Sequence, residues 1–288
     1  MKQALNALEI KNLRKDYGDF YLDNLNLAVP AGSILGLIGE NGAGKTTTIK
    51  AVMDLIRPDG GEVTFYGQKL KENPVGIRED VSVVFEQMSF NKSFTAEQIE
   101  KICKGIYSSW DTDAWHDAMD YFRLPYHKPL KEFSKGMQMK LNLAVALSHG
   151  AKLLLLDEPT SGLDPVMRDE VLDLFLEFMQ DENHAILLSS HITTDLEKIA
   201  DYIAFIHEGT LIFCLPKDEL LYSYGIIRCK KEDFEKISPE DCLAWRRQEY
   251  QCSILVKNRK EIALKYPDLV VDAPSIEEIM LFYVKGER

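Results

Sequence analysis

Residues Gly39–Thr47 read GENGAGKTT, and the five residues before them, Ile34–Ile38, read ILGLI. A short apolar run bounded by glycine has the length of a buried strand. When such a strand enters a glycine-rich loop and leaves through a lysine into a helix, free backbone N–H groups converge on one point and bind phosphate oxygens there. Gly39, Gly42 and Gly44 let the backbone come close, with Glu40, Asn41 and Ala43 completing the loop. Lys45 brings positive charge to the β- and γ-phosphates, the Thr46 hydroxyl is placed to ligate Mg²⁺, and Thr47 continues into the helix. Ile49, Val52, Met53 and Ile56 follow at helical spacing, and Pro58, Gly60 and Gly61 predict the stop. This reading predicts an α/β fold around a P-loop, a phosphate cradle that kinases, GTPases and ATPases share.

A second stretch narrows the chemistry. KLLLLDEPTSGLDP begins at Lys152, and its four leucines predict a parallel-type strand that pushes Asp157 and Glu158 out at its C-terminal end, where open α/β sheets bind ligands. Paired acids are often a solvated turn, but four preceding leucines argue against that. With a phosphate loop in the same chain, Asp157 is expected to hold Mg²⁺ largely through water and Glu158 to polarise the attacking water. AILLSSH at 185–191 predicts another buried strand that ends on His191. Two readings stay open for it, a plain loop histidine and a γ-phosphate sensor, and the strand-end position favours the second. Ser134, in Phe133–Met137, has the features of a helix N-cap; a capped, glycine-containing helix start is also an anion site, and capping is the simpler reading. Tyr17 lies in the turn Asp16–Asp19 and is either a core aromatic at a strand end or a platform for a purine base.

The rest of the chain supplies a frame. Leu8–Leu13 and Phe20–Val29 alternate as half-buried strands, GEVTFYG restarts strand structure after Pro58, and Val81–Phe85 is a buried strand ending at Glu86-Gln87. From Ser93 to Leu124 the pattern turns helical, with Ile99, Ile102, Cys103 and Ile106 on one face and Trp115, Ala118, Met119 and Phe122 on another, so a helical insert is expected over about 90–150. His116 and His127 in this region have no partner at metal-ligand spacing. A helix is expected over Pro165–Gln180, and strands at Tyr202–His207 and Thr210–Cys214 close the first unit near Leu220. Residues 221–288 read strand (IIRC), helix (EDFEKI), strand (LAWRRQEY), strand (CSILVK), helix (RKEIALKY), strand (LVV), then a helix over Ser275–Val284. That order is compatible with a small α+β, ferredoxin-like accessory unit. The division expected is 1–220 and 221–288.

Composition sets limits. At 288 residues and 45% hydrophobic content the chain can fill a core. No run of about eighteen apolar residues predicts a membrane span, and the N-terminus lacks the pattern of a signal peptide. Five scattered cysteines, none in a CxxC pair, point to reduced thiols in a cytoplasmic protein. The net charge is −12; residues 221–288 carry 12 basic and 12 acidic residues, so the whole excess falls on 1–220. That balance argues against non-specific binding of nucleic acid or insertion at an anionic membrane surface.

Taken together, these motifs make the chain resemble the nucleotide-binding subunit of an ABC transporter over residues 1 to about 220. The order is an A-loop-like Tyr17, the Walker A run, a Q-loop at Gln87, a signature at Phe133–Met137, Walker B (LLLLDE), the D-loop SGLD ending at Asp164, and an H-loop at His191. The resemblance implies ATP and Mg²⁺ as ligands, with Thr46, Gln87 and Asp157 around the metal and Glu158, His191 and Gln87 in catalysis. It implies a head-to-tail dimer in which Ser134, Lys135, Gly136 and Met137 act in trans on the partner's nucleotide and Asp164 couples the two sites. Gln87 would also relay the ATP state to the helical insert, which docks on transmembrane permease subunits at the inner face of the cell membrane. The signature reads FSKGM where LSGGQ is usual: Ser134 and Gly136 are kept, while Lys135 and Met137 replace a glycine and a glutamine. The SKGM variant and the EPTSGLDP run are similar to the ABC-2 class of bacterial exporters, which handle antimicrobial peptides, bacitracin-type drugs or sodium. With Glu158 and His191 both present, two competent sites in a homodimer are expected, a heterodimer with a related ATPase being the other arrangement. The runner-up is a soluble ABC ATPase without a transporter, and a third reading is an ATP-binding regulator or immunity factor.

Overall fold

The computed structural model describes residues 5–87, 90–247 and 251–287. In chain order these form β1 (Asn6–Asp16), β2 (Tyr21–Pro30), β3 (Ile34–Ile38), α1 (Lys45–Val52), β4 (Gly60–Phe65), β5 (Gln68–Lys69), α2 (Pro74–Asp80) and β6 (Val81–Val84). The middle of the chain contributes α3 (Ala96–Ile106), α4 (Thr112–Tyr121), α5 (Lys135–Ser148), β7 (Leu153–Asp157), α6 (Pro165–Phe178), β8 (Ala185–Ser190), α7 (Thr193–Ile199), β9 (Tyr202–His207) and β10 (Thr210–Pro216). Then come α8 (Lys217–Ser223), β11 (Tyr224–Cys229), α9 (Lys231–Phe234), β12 (Ala244–Arg247), β13 (Cys252–Lys257), α10 (Arg259–Lys265), β14 (Val271–Asp272) and α11 (Ile276–Lys285).

The central sheet has the order β10-β9-β3-β8-β7-β6, parallel throughout except for the edge pair β10–β9. Strands β3, β7 and β8 are buried on both faces, which explains their unbroken apolar runs. Leu154 and Leu156 face one core with α3 to α7, while Leu153 and Leu155 face another with α1 and the sheet β2-β1-β4-β5. Because successive side chains alternate, the leucine run of β7 pins both layers at once. The C-terminal ends of β3, β8, β7 and β6 lie side by side, and each opens into one of the motifs.

The helical insert forms as its spacing predicts. Thr95 and Gln98 make a capping box at the start of α3, Asp111 caps α4, and Trp115 and Met119 are fully buried. Helix α1, however, stops at Val52 and not at Pro58, because Asp54 takes a left-handed backbone (φ 56°) that a helix cannot continue through. Three short helices carried too little apolar periodicity to be seen in sequence: α2, started by the Asn73 cap and Pro74, α7, directly after His191, and α8, which follows β10.

The C-terminal residues form an antiparallel sheet of order β12-β13-β11-β14, with α9 and α10 as crossovers. Numbered within this unit the order is 2-3-1-4, the ferredoxin-like arrangement. Ile227, Ile254, Val256 and Ile262 pack on one face. From the other face Ile226 and Leu255, with Ile276, Ile279 and Phe282 of α11, join the same apolar cluster as Ile203, Phe205 and Leu220. Residues 248–250 of the expected strand Leu243–Tyr250 lie outside the described residues.

Candidate functional site

The P-loop starts where β3 ends. A Cβ on Gly39 would fall 2.4 Å from the Ile206 carbonyl oxygen, and one on Gly44 would meet Leu22 and Phe20 at 2.7 and 2.9 Å, so both positions admit only glycine. Gly44 also holds φ 112° at the start of α1, and no side chain caps that helix. Its first N–H groups therefore stay available to an anion, and they point to where the dipole favours negative charge.

Around Lys45 the motifs converge. Its Nζ donates to the Gly39 carbonyl at 2.8 Å and the Glu40 carbonyl at 3.3 Å, and pairs with Glu158 Oε1 at 3.3 Å. Lys45 and Glu158 are 7% and 9% exposed, so this is an ion pair between buried groups. The other Glu158 oxygen lies 2.7 Å from His191 Nδ1 and accepts from the His191 N–H at 3.3 Å. Glu158 is thus the junction between Lys45 and the strand-end histidine. Its own backbone is left-handed at φ 52°, a conformation that costs about 1–3 kcal/mol for such a residue and recurs at functional sites.

Asp157, 3% exposed, accepts from the Thr46 hydroxyl at 2.8 Å on one oxygen and from the Ser189 hydroxyl at 2.6 Å on the other. Hard oxygen donors from one carboxylate and one hydroxyl suit Mg²⁺, which keeps waters and substrate phosphates as its remaining ligands. Among the described residues no group of three or more His, Cys, Asp or Glu side chains is arranged to hold a metal ion by itself. Ser189 escaped the reading of the sequence. Its hydroxyl also accepts from the Glu158 N–H at 3.2 Å, so it ties the two acids together. The signal was present: two serines ending an otherwise apolar strand need a polar partner.

Other predicted residues stand apart from this centre. Tyr17 is 52% exposed at the tip of the β1–β2 turn, with Lys15 over its ring at 5.3 Å, so the core-aromatic reading does not hold. Its N–H donates to the carbonyl of Phe20, whose ring lies against Gly44, and the turn therefore borders the P-loop. Gln87 is exposed just past β6. Ser134 caps α5 by accepting from the Met137 N–H at 3.2 Å, Lys135 pairs with Glu86 at 2.7 Å, and Gly136 faces Leu163. Asp164 caps α6 through the N–H groups of Val166 and Met167, both at 3.1 Å. Helix α11 forms one wall of a cavity of about 450 Å³ whose other wall is Gly39, Glu40 and His191–Thr194. Nothing in the sequence announced that the C-terminal residues reach the strand ends where Gly39 and His191 lie.

Comparison with known proteins agrees with this geometry. The family described as "ABC transporter" matches residues 22–161. The bacitracin transport ATP-binding protein BcrA of Bacillus licheniformis is 35% identical, over 74% of this chain and 71% of its own length. The lantibiotic transport ATP-binding protein SrtF of Streptococcus pyogenes is 33% identical, over 71% of this chain and 89% of its own. Among solved structures, an ATP-binding subunit of an ABC transporter superposes with a TM-score of 0.68 at 28% identity, covering 74% of this chain and 91% of that one. A dimeric ATP-binding cassette bound to ADP and Pi shares the fold, with a TM-score of 0.65 over 73% of this chain and 98% of that one, at 22% identity. With an uncapped P-loop helix, a buried lysine–glutamate pair linked to an exposed histidine, and a hydroxyl–carboxylate pair at adjoining strand ends, this chain belongs to the ABC transporter family as an ATP-binding protein and ATPase.

Proposed function

We propose that this ATPase powers export of a peptide, antibiotic or other small molecule across the cytoplasmic membrane through a separate permease. The observation that carries the reading is the convergence of Lys45, Thr46, Asp157, Glu158 and His191 through direct contacts at the ends of β3, β7 and β8. The bacitracin and lantibiotic transport relatives support a substrate of that class. No helix among the described residues is long and apolar enough to cross a membrane. In this reading the protein sits at the inner membrane face, held there by the permease.

The P-loop amides of Gly39–Thr47 receive the phosphates, and Tyr17 stacks on the base. Thr46 and Asp157, with Gln87, would hold Mg²⁺, which would supply positive charge to the phosphates when bound. The γ-phosphate competes with Glu158 for Lys45 and for His191. Once released from both, the Glu158 carboxylate is free to take a proton from the attacking water, and His191 holds the γ-phosphate. A second copy, or a related ATPase, supplies Ser134, Lys135, Gly136 and Met137 to the open side, and Asp164 couples the two sites. Residues 1–220 act as the ATPase unit, with its helical part over about 90–150, and 221–288 as the accessory unit. The permease docks in the apolar groove of about 380 Å³ between Leu55, Phe85, Phe90 and Ile106. Leu55 and Ile106 there are 59% and 65% exposed.

Glu158→Gln tests the mechanism. It is expected to keep ATP binding, lower turnover about 100-fold or more, and accumulate an ATP-dependent dimer on gel filtration. Unchanged turnover would remove Glu158 as the base. Co-purification of the tagged chain with a polytopic membrane protein tests the transport role, and recovery with a soluble complex alone counts against it.

A further inference from the structure

Helices α6 and α7 each begin at a motif. The first starts at the Asp164 cap, and Arg168 in its first turn donates its backbone N–H to the Asp164 carbonyl at 2.9 Å. The second starts two residues after His191 and carries Asp195, 3% exposed, in its first turn. Arg168 Nε lies 3.8 Å from Asp195 Oδ2. Both atoms are buried, and among the described residues neither has a hydrogen-bond partner. Beside them, on the exposed flank, Lys198 of α7 pairs with Asp169 of α6 at 2.5 Å.

A buried carboxylate is tolerated when it is both paired and hydrogen-bonded. Here the charges are matched while the hydrogen bond is not made, because 3.8 Å exceeds the usual 2.7–3.2 Å range. A relative shift of the two helices by about 1 Å would complete it. The contact joins the helix of the D-loop to the helix of the H-loop. Asp164 spends its side chain on its own helix, while His191 is held by Glu158, whose carbonyl also accepts from the Ser161 N–H of the D-loop at 3.1 Å, so the contact between Arg168 and Asp195 is a second link between the two loops.

We propose that Arg168 and Asp195 are positioning residues that carry the placement of the D-loop to His191, so that nucleotide in one site of the dimer is felt in the other. The inference rests on the dimeric reading above, in which the D-loop lies at the partner's site. Neither residue touches nucleotide. Each acts through the loop at the start of its own helix.

The test uses the full-length chain with Arg168→Met, Asp195→Asn, the conservative Arg168→Lys, and the charge swap Arg168→Asp with Asp195→Arg. Thermal melting, MgATP affinity by titration, and the dependence of ATPase rate on ATP concentration are measured for each. Arg168→Met and Asp195→Asn are expected to keep MgATP affinity within about twofold, while kcat falls about tenfold and the Hill coefficient drops towards 1. Arg168→Lys or the charge swap should restore part of the cooperativity, which also covers the case where a single variant folds poorly. Unchanged kcat and Hill coefficient overturn the proposal, as does a loss of rate that only tracks the folded fraction. If wild-type turnover is itself non-cooperative and Glu158→Gln forms no ATP-dependent dimer, the dimeric reading falls and the proposal with it. Wild-type cooperativity with indifferent variants overturns the proposal alone.

Discussion

Glu158 shows how much a single side chain can be asked to do. One oxygen faces Lys45 and the other His191, and the strained backbone beneath it is held by Ser189, which receives the Glu158 N–H on both its carbonyl and its hydroxyl. Ser189 is therefore the residue whose loss separates support from chemistry. Ser189→Ala leaves Asp157 buried with one hydrogen bond fewer, which is expected to cost about 1–3 kcal/mol. It should also raise the Mg²⁺ concentration needed for half-maximal ATPase, since the carboxylate is no longer held on its far side. Melting curves and a Mg²⁺ titration of turnover check both, and wild-type values in the two would mean the hydroxyl is dispensable. Lys135 makes the opposite point. Its pair with Glu86 is exposed, and such pairs contribute about 0–1 kcal/mol, so the departure from the usual signature glycine is not a stability device.

At the scale of elements, α5 carries the signature at one end and a buried histidine at the other. His149, at the C-terminal cap, is 1% exposed and stacks on Tyr107 of the helical insert at 4.3 Å. Burial pushes its pKa down from 6.5 to about 4, against the opposing pull of the Val145 backbone and the Glu79 charge. The folded value lies below the unfolded one, so between them the unfolded chain binds the extra proton. Stability is complete above about pH 6.5 and declines as pH falls towards 4, by at most about 3 kcal/mol. His149→Phe keeps a ring against Tyr107 without the titration. Denaturant midpoints measured from pH 7 to 4 should flatten in this variant relative to wild type. An equal slope in the two proteins would assign the acid sensitivity elsewhere.

For the molecule as a whole, the accessory sheet is not a pendant module. Ile226, Leu255, Ile279 and Phe282 share one apolar cluster with Ile203, Phe205 and Leu220, and Phe213 packs on Tyr283 at 5.3 Å. The backbone N–H of Ile276 also donates to Glu197 of α7 at 3.0 Å, which brings the C-terminal helix to the element after His191. Cutting the chain after Leu220 would uncover this face. The truncated protein is expected to melt lower and to aggregate, because an exposed contiguous apolar patch of this kind is an association surface. Gel filtration and melting of the 1–220 chain against the full chain decide the matter. A monodisperse truncation with an unchanged midpoint would show that the shared cluster carries little stability.

The sequence alone determined which chemistry is present and in what order. Glycine spacing at Gly39, Gly42 and Gly44, four leucines before Asp157 and a strand ending on His191 are local patterns, and local sterics and side-chain alternation suffice to read them. It also carried the strand order of residues 221–288 as far as β-α-β-β-α-β, since periodicity changes at each junction. Only the tertiary structure decided that Glu158 bridges Lys45 and His191, that Ser189 braces both acids, that Arg168 of α6 meets Asp195 of α7, and that α11 packs beside the C-terminal ends of β3 and β8. Each of these contacts joins segments far apart in the chain. Their partners are chosen by sheet order and helix packing, and no spacing along the sequence encodes that choice.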